Sequence, residues 1–165
     1  MTYVKAFDEI RRIFADQPLA RQKRYGAGHF SFNVKGGRCE NCEGAGYLQV
    51  EMVFMADVFV PCDLCGGKRF KSEVLEVKVR GKSVCDVLEM TIDQAIRFFP
   101  REEKLGQALW QLQQVGLGYL KLGQPAPTLS GGEAQRVKIA RELSHAGKTK
   151  TRKLYVLDEP TTGLH

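Results

Sequence analysis

Four of the five cysteines in this chain lie in two close pairs. Cys39 with Cys42 and Cys62 with Cys65 give the spacing C-x2-C-x19-C-x2-C. A two-residue spacer lets neighbouring thiolates converge on one tetrahedral ion, and a set of four thiolates favours zinc. Because these four ligands leave no position open to a substrate, we expect a structural Zn2+. The alternative is four reduced, buried thiols without metal. Cys85 follows a strand pattern and is expected to be a core thiol.

Glycines follow each cysteine pair, at Gly44, Gly46, Gly66 and Gly67. Such glycines are typical of knuckle turns, in which backbone N–H groups must approach the sulfur atoms closely. An insert of this size has too little core to fold alone, so we expect its folding to depend on the ion.

A second group of residues is the segment Leu129-Ser130-Gly131-Gly132-Glu133, followed by a basic helical pattern. Ser130 as N-cap and Glu133 three residues later form a capping box. Capping does not explain two glycines in the first turn, where each costs up to about 1 kcal/mol relative to alanine. Bare N–H groups at a helix N-terminus can donate hydrogen bonds to a phosphate. We therefore expect Ser130, Gly131, Gly132 and Glu133 to contact a nucleotide phosphate.

The third group is the pair Asp158-Glu159, which ends the apolar run at residues 154–157. An aspartate at the end of a buried strand can hold Mg2+, and the adjacent glutamate can orient or deprotonate the attacking water. Alone this signal is weak, because buried strands often end in acidic turn residues. Its position after the Ser-Gly-Gly-Glu helix favours Asp158 as a Mg2+ ligand and Glu159 as the catalytic residue.

A phosphate-binding P-loop, G-x4-G-K-[ST], would be expected beside these groups. Two near matches, at residues 81–83 and 147–149, have Glu76 and Glu142 where the first glycine must stand. No P-loop is therefore present among these 165 residues. We expect this stretch alone not to hydrolyse ATP.

Hydrophobic periodicity predicts the elements that must position these groups. One helix is predicted near the start from Tyr3, Phe7, Ile10 and Phe14, and is limited by Pro18. Strands with one buried face are predicted over residues 47–54 and 75–80. Further helices are predicted after Thr91-x-x-Gln94, over residues 105–115 and over residues 131–144, with a last buried strand at residues 154–157.

Composition limits the classes of protein that remain. The chain is 43% hydrophobic and 27% charged, as in ordinary globular proteins. Its net charge of +6 and pI near 9.1 favour a polyanionic partner without identifying one. No run approaches the roughly 18 apolar residues of a membrane span. Charged residues occupy the place of a signal peptide's apolar region, so we expect a cytoplasmic protein without a membrane partner.

Together these motifs resemble the UvrA family, the ATP-binding damage-recognition subunits of the bacterial excinuclease. Residues 130–137 resemble its ABC-type signature, residues 154–159 its Walker B strand and residues 160–165 its D-loop. Residues 30–40 and 60–62 resemble the approaches to its second zinc module. The resemblance is specific, because ordinary ABC proteins carry no four-cysteine insert before the signature.

The resemblance implies an α+β fold. It would be a partial ABC-type nucleotide-binding domain, made of a helical signature region and the Walker B strand, with a small β-rich four-cysteine module inserted. The expected divisions are residues 1–24 as N-terminal helix and linker, 25–82 as zinc module, 83–147 as helical signature domain II, and 148–165 as Walker B strand and D-loop. The family's Walker A motif would lie upstream, and the signature would contact ATP held by the other nucleotide-binding half.

The implied function is recognition of damaged duplex DNA coupled to ATP hydrolysis by an intact homodimer, with loading of UvrB. Candidate phosphate contacts flank the cysteines: Arg21, Lys23, Arg24, Lys35, Arg38, Lys68, Arg69 and Lys71. For each of them a solvated basic face is the alternative. Two other functions remain open, a non-enzymatic zinc interaction module similar to that of DnaJ-type chaperones and a UvrA-like drug-resistance paralogue. A chaperone module would lack the region of residues 129–164.

Overall fold

The computed structural model describes residues 6–52, 54 and 57–145. Its helices are α1 (Ala6–Ala15), α2 (Pro18–Gln22), α3 (Ser72–Leu75), α4 (Val84–Leu88), α5 (Ile92–Phe98), α6 (Glu103–Gln114) and α7 (Gly131–His145), and its strands are β1 (Tyr47–Val50) and β2 (Val58–Pro61). This confirms the predicted α+β class. No helix in these described ranges is both long and apolar enough to cross a bilayer.

The described residues divide into two compact units. One comprises residues 10–87, and the other comprises residues 6–9 with residues 88–145. The predicted divisions at residues 24, 82 and 147 stay predictions.

The unit of residues 10–87 has its own apolar core. Ile10 and Phe14, two positions of the predicted helical stripe on α1, are buried there, and the Phe14 ring centroid lies 5.4 Å from that of Phe30. Other buried members are Phe70, Val74, Val77, Val79, Val84 and Val87. α1 ends three residues before Pro18, which begins α2, so the proline separates two helices as its missing N–H requires.

β1 and β2 form an antiparallel hairpin between the two cysteine pairs, with Tyr47 opposite Pro61 and Val50 opposite Val58. The strand predicted over residues 47–54 is therefore present only over Tyr47–Val50, and the prediction that it has a buried face is wrong. Its side chains are exposed on both faces, except that Leu48 packs, half-buried, against the cysteines. Alternating apolar residues bury a face only where a second layer covers it, and no part of the described chain covers this two-stranded sheet.

Two local predictions after the second cysteine pair are also wrong. Residues 75–80 do not form a strand: α3 ends at Leu75, and only an isolated bridge joins Val79 to Lys82. The chain reverses at Arg80 and Gly81, whose φ angles are +48° and +78°, so the segment pairs with its own turn. Cys85 lies in helix α4 rather than in a strand, and it is only half-buried.

In the other unit, the predicted helices are confirmed. Thr91 caps α5 in a capping box, because the Gln94 N–H donates to Thr91 Oγ1 (3.2 Å) and the Thr91 N–H donates to Gln94 Oε1 (3.0 Å). On α6 the stripe Leu105, Leu109 and Leu112 is fully buried. This unit positions the start of α7, where the Ser-Gly-Gly-Glu segment lies.

Candidate metal centre and signature helix

The four paired cysteines converge on one point. All four sulfur atoms lie within 4.8 Å of one another, with 3.9 Å between the sulfurs of Cys39 and Cys62 and 3.7 Å between those of Cys42 and Cys65. Zn–S bonds of about 2.3 Å place tetrahedral sulfur atoms about 3.8 Å apart, so the donor set and its geometry fit zinc. Three of the cysteines are buried and Cys65 is half-buried. The predicted cluster is therefore assembled and could hold a metal ion.

Backbone hydrogen bonds join the two knuckles that present these sulfurs. The N–H of Cys39 donates to the carbonyl of Arg69 (2.8 Å), and the N–H of Cys62 donates to the carbonyl of Gly46 (3.0 Å). If the knuckles are taken as residues 39–46 and 62–69, the first residue of each is hydrogen-bonded to the last residue of the other. The cluster depends on both segments at once, although 23 residues separate the equivalent cysteines.

Gly46 provides the predicted close approach of backbone to sulfur. Its N–H donates to Cys42 Sγ over 3.2 Å. Its φ angle is +85°, and a Cβ at this position would lie 2.9 Å from the Gly67 carbonyl oxygen. Both the conformation and the lack of space require glycine here.

The thiols differ in their electrostatic environment. The pKa of Cys62 is lowered to about 6, mainly by the backbone N–H of Cys65 and further by the side-chain amide of Asn41. Burial raises the pKa of Cys39, and it raises that of Cys65 to about 12. Hydrogen bonds thus favour the thiolate of Cys62, whereas burial disfavours those of Cys39 and Cys65.

Asn41 also belongs to this site, although it was not among the residues predicted for it. Its amide nitrogen lies 3.4 Å from Cys62 Sγ and 3.2 Å from Asp63 Oδ1. The sequence did offer one signal for Asn41, namely a polar amide between Cys39 and Cys42. The sulfur that this amide contacts, however, belongs to the other cysteine pair.

The hairpin between the knuckles is apolar, exposed and free of basic residues. Residues 39–67 contain five acidic residues and no lysine, arginine or histidine. At its far end Phe54 is 96% exposed. The basic residues predicted to contact DNA phosphates all lie in the segments that flank this stretch.

All eight basic residues predicted to contact DNA phosphates lie in the unit of residues 10–87. They differ in exposure and in the contacts that they already make. Four are paired with carboxylates: Arg21 with Asp16, Lys23 with Glu76, Arg38 with Glu43 and Lys71 with Glu40. The Arg69 guanidinium lies over the ring of Phe32, 5.5 Å from its centroid. Arg24, Lys35 and Lys68 are exposed.

The start of α7 has the predicted capping box. The Ser130 N–H donates to Glu133 Oε2 (2.7 Å), and the Glu133 N–H donates to Ser130 Oγ (3.3 Å). The other carboxylate oxygen of Glu133 accepts from the hydroxyl of Tyr119 (2.5 Å), a partner that the local sequence does not indicate. The Tyr119 hydrogen bond is the main cause of the lowered pKa of Glu133, and it raises the pKa of Tyr119 in turn.

The two glycines of this segment differ in exposure. Gly131 is exposed and Gly132 is buried. A Cβ at Gly131 would meet no atom of the described residues within 4 Å, so their packing does not require glycine there. Asp158, Glu159 and the strand predicted before them lie outside the described residues.

The sequence pattern of ABC transporters matches residues 50–162. The chain belongs to the ABC transporter family. The match includes most of the region that a chaperone-type zinc module would lack.

Within this family the chain is similar to UvrA, which confirms the resemblance found from the sequence. It is 58% identical over 164 residues to UvrABC system protein A of Thermus thermophilus and of Aquifex aeolicus, which covers 99% of this chain. The crystal structure of UvrA2 from Deinococcus radiodurans matches with a TM-score of 0.92 and 55% identity, covering 99% of this chain and 19% of that one. The chain spans 17% and 18% of the length of the two curated relatives.

Proposed function

We propose that this chain is the segment of a UvrA-type DNA damage recognition ATPase that carries a zinc module and the ABC signature helix. The whole cytoplasmic protein would bind damaged duplex DNA as a homodimer, hydrolyse ATP with Mg2+ and load UvrB during nucleotide excision repair. One observation carries this proposal. A four-cysteine cluster and a capped Ser-Gly-Gly-Glu helix occur together in a chain that UvrA proteins match over 99% of its length.

Zinc is the ion proposed for the cysteine cluster. Four thiolates of the observed spacing select it over harder cations, and Cys39, Cys42, Cys62 and Cys65 would bind it. When bound, the ion supplies a cross-link between the two knuckles. The role is structural, because every ligand position is taken by the protein.

The signature helix is proposed to contact the phosphates of ATP held by another nucleotide-binding half. The open space at Gly131 supports this role, since a phosphate there could approach the N–H groups of the first turn. Ser130, Gly132 and Glu133 would complete the contact, with the Glu133 carboxylate held by Tyr119 and Ser130. Asp158 is proposed as the Mg2+ ligand and Glu159 as the residue that orients the attacking water.

The flanks of the zinc module are proposed to contact the DNA backbone. Lesions of many chemistries share altered duplex deformability, which backbone contacts can sense without reading bases. Arg24, Lys35 and Lys68 are the most available cations, because their side chains are exposed. Five further candidates would have to exchange an ion pair or a ring contact for a phosphate: Arg21, Lys23, Arg38, Arg69 and Lys71.

A chimera tests the proposed function in a whole protein. The matching segment of Thermus thermophilus UvrA would be replaced by this chain. We expect the chimera to hydrolyse ATP, to prefer damaged over undamaged duplex and to restore ultraviolet survival to a strain that lacks UvrA. The control is the same chimera with Glu159→Gln, which should bind ATP but hydrolyse it at least about 100-fold more slowly.

The possible failures have different meanings. A folded chimera without ATP hydrolysis would overturn the assignment of residues 130–133 and 158–159. A chimera that hydrolyses ATP without distinguishing damaged from undamaged duplex would overturn the repair function and favour a UvrA-like paralogue.

A further inference from the structure

The two knuckles of the metal centre are repeats of one structure with an offset of 23 residues. Cys39 corresponds to Cys62 and Cys42 to Cys65, and their sulfurs face each other in these pairs. The backbone hydrogen bond from Cys39 to Arg69 is equivalent to the one from Cys62 to Gly46, because Gly46 corresponds to Arg69 under the same offset. The knuckles can therefore be compared position by position.

The two knuckles differ in the residue that directly precedes the second cysteine of each pair. The first knuckle has Asn41, and the equivalent position of the second is Leu64. The Asn41 amide donates across to Cys62 Sγ over 3.4 Å. Leu64 is 72% exposed and has no side-chain donor to offer to Cys39.

Asp63 determines how the Asn41 amide is oriented. A carboxylate only accepts hydrogen bonds, so the amide must turn its nitrogen, not its oxygen, toward Asp63 Oδ1 at 3.2 Å. The same nitrogen carries the second hydrogen that faces the sulfur of Cys62. The backbone N–H of Leu64 also donates to Asp63 Oδ1 (2.9 Å), which holds the carboxylate in place.

We propose that Asn41, oriented by Asp63, is a positioning residue of the metal centre that holds the Cys62 sulfur and links the two knuckles. The inference rests on the zinc binding proposed above. A hydrogen bond donated to a ligating thiolate withdraws electron density from the sulfur and offsets part of the negative charge that four thiolates place around one divalent ion. Loss of this bond should consequently speed release of the ion.

Zinc release measures this effect directly. Zinc-loaded protein would be mixed with a chromophoric chelator, and the rate of zinc transfer would be followed by absorbance. Asn41→Leu gives the first knuckle the residue found in the second and should speed release about tenfold, the lower end of the effect that outer-shell partners have on metal affinity. Asp63→Ala should give a smaller increase, because Asn41 remains but is no longer oriented. Leu64→Ala is the matched control and should leave the rate unchanged.

A second measurement separates sulfur protection from general loosening of the fold. Brief alkylation of the zinc-loaded protein, mapped by mass spectrometry, reports the reactivity of each cysteine. Cys39 and Cys62 are 2% and 0% exposed, so exposure alone predicts similar rates. We expect Asn41→Leu to speed alkylation of Cys62, which loses a hydrogen bond, and to leave that of Cys39 unchanged.

Each outcome decides the inference. Unchanged release and alkylation in both Asn41→Leu and Asp63→Ala would overturn it while leaving the zinc site intact. Faster release with equal acceleration of alkylation at all four cysteines would also overturn it, because a merely structural role produces that pattern. A wild-type protein that binds no zinc would overturn the metal assignment and the inference together.

Discussion

Glu133 shows how one side chain can serve two purposes at the start of α7. One carboxylate oxygen accepts from the Ser130 N–H and completes the capping box, and the other accepts from the hydroxyl of Tyr119. Helix capping by itself needs only the first of these bonds. The second fixes the carboxylate at the helix N-terminus, where a phosphate is proposed to bind.

The pH dependence of Tyr119 tests this contact. Its pKa is raised above the ordinary value near 10 by Glu133, so the stabilisation it provides is complete below pH 10 and is lost as pH rises through the folded-state pKa. Glu133→Gln keeps a capping-box residue but removes the charge, and should return the pKa of Tyr119 toward its ordinary value. The measurement is a titration of 13C-labelled tyrosine by NMR. An unchanged Tyr119 midpoint in Glu133→Gln, with the helix intact, would contradict the contact.

Among the described elements, the hairpin of β1 and β2 is the one that we expect to depend on the metal centre. Isolated two-stranded sheets are marginally stable in water, and the described part of the chain covers neither face of this one. Leu48 alone among the residues of β1 is half-buried, and it packs on the cysteine cluster. The hairpin is therefore expected to be ordered by the knuckles at its base rather than by a hydrophobic core.

Removal of the ion should unfold the module while sparing the helices of the other unit. With a strong chelator, we expect amide hydrogen exchange to rise by orders of magnitude over residues 39–67, because metal binding supplies their folding free energy. Exchange in α6 should change little, since Leu105, Leu109 and Leu112 belong to a separate core. Mass-spectrometric hydrogen exchange measures both regions in one experiment.

Substitutions provide the controls for this experiment. Cys62→Ser should lose the ion and show rapid exchange without chelator, whereas Cys85→Ser, which changes a half-buried thiol of α4, should keep close to one zinc per chain. Zinc retained by Cys62→Ser, or released by Cys85→Ser, would show that the ligand set is wrong.

At the scale of the whole molecule, charge is distributed unevenly along the chain. The net charge is +6, yet residues 39–67 carry five acidic residues and no basic one. The basic residues that flank this stretch include three exposed side chains, Arg24, Lys35 and Lys68. This distribution favours phosphate contacts beside the zinc module and not at its hairpin.

Salt dependence tests whether these side chains contact DNA. In the chimeric UvrA, the joint substitution Lys35→Ala and Lys68→Ala should make the slope of log affinity against log salt shallower by about 1.8, or about 0.9 for each phosphate that is no longer neutralised. The matched control replaces Lys104 and Lys138, exposed lysines of α6 and α7, and removes the same charge. If both double variants weaken binding equally, the effect reflects net charge and the proposed contacts are wrong.

The sequence by itself determined the features that a few neighbouring residues encode. The capping boxes at Thr91 and Ser130 join residues three apart, and the buried stripe of α6 follows from helical periodicity. The cysteine cluster was also predictable, because two-residue spacers and the chemistry of thiolates define a metal site almost independently of the surrounding fold.

Only the tertiary structure decided contacts between distant residues and the burial of each face. Asn41 meets Cys62 across 21 residues, Tyr119 meets Glu133 across 14, and Lys23 meets Glu76 across 53. No local pattern specifies such pairs, since they form only when separate segments are brought together. The exposed hairpin failed as a prediction for the same reason: alternation shows that a face is apolar, but the presence of a covering layer is a property of the whole fold.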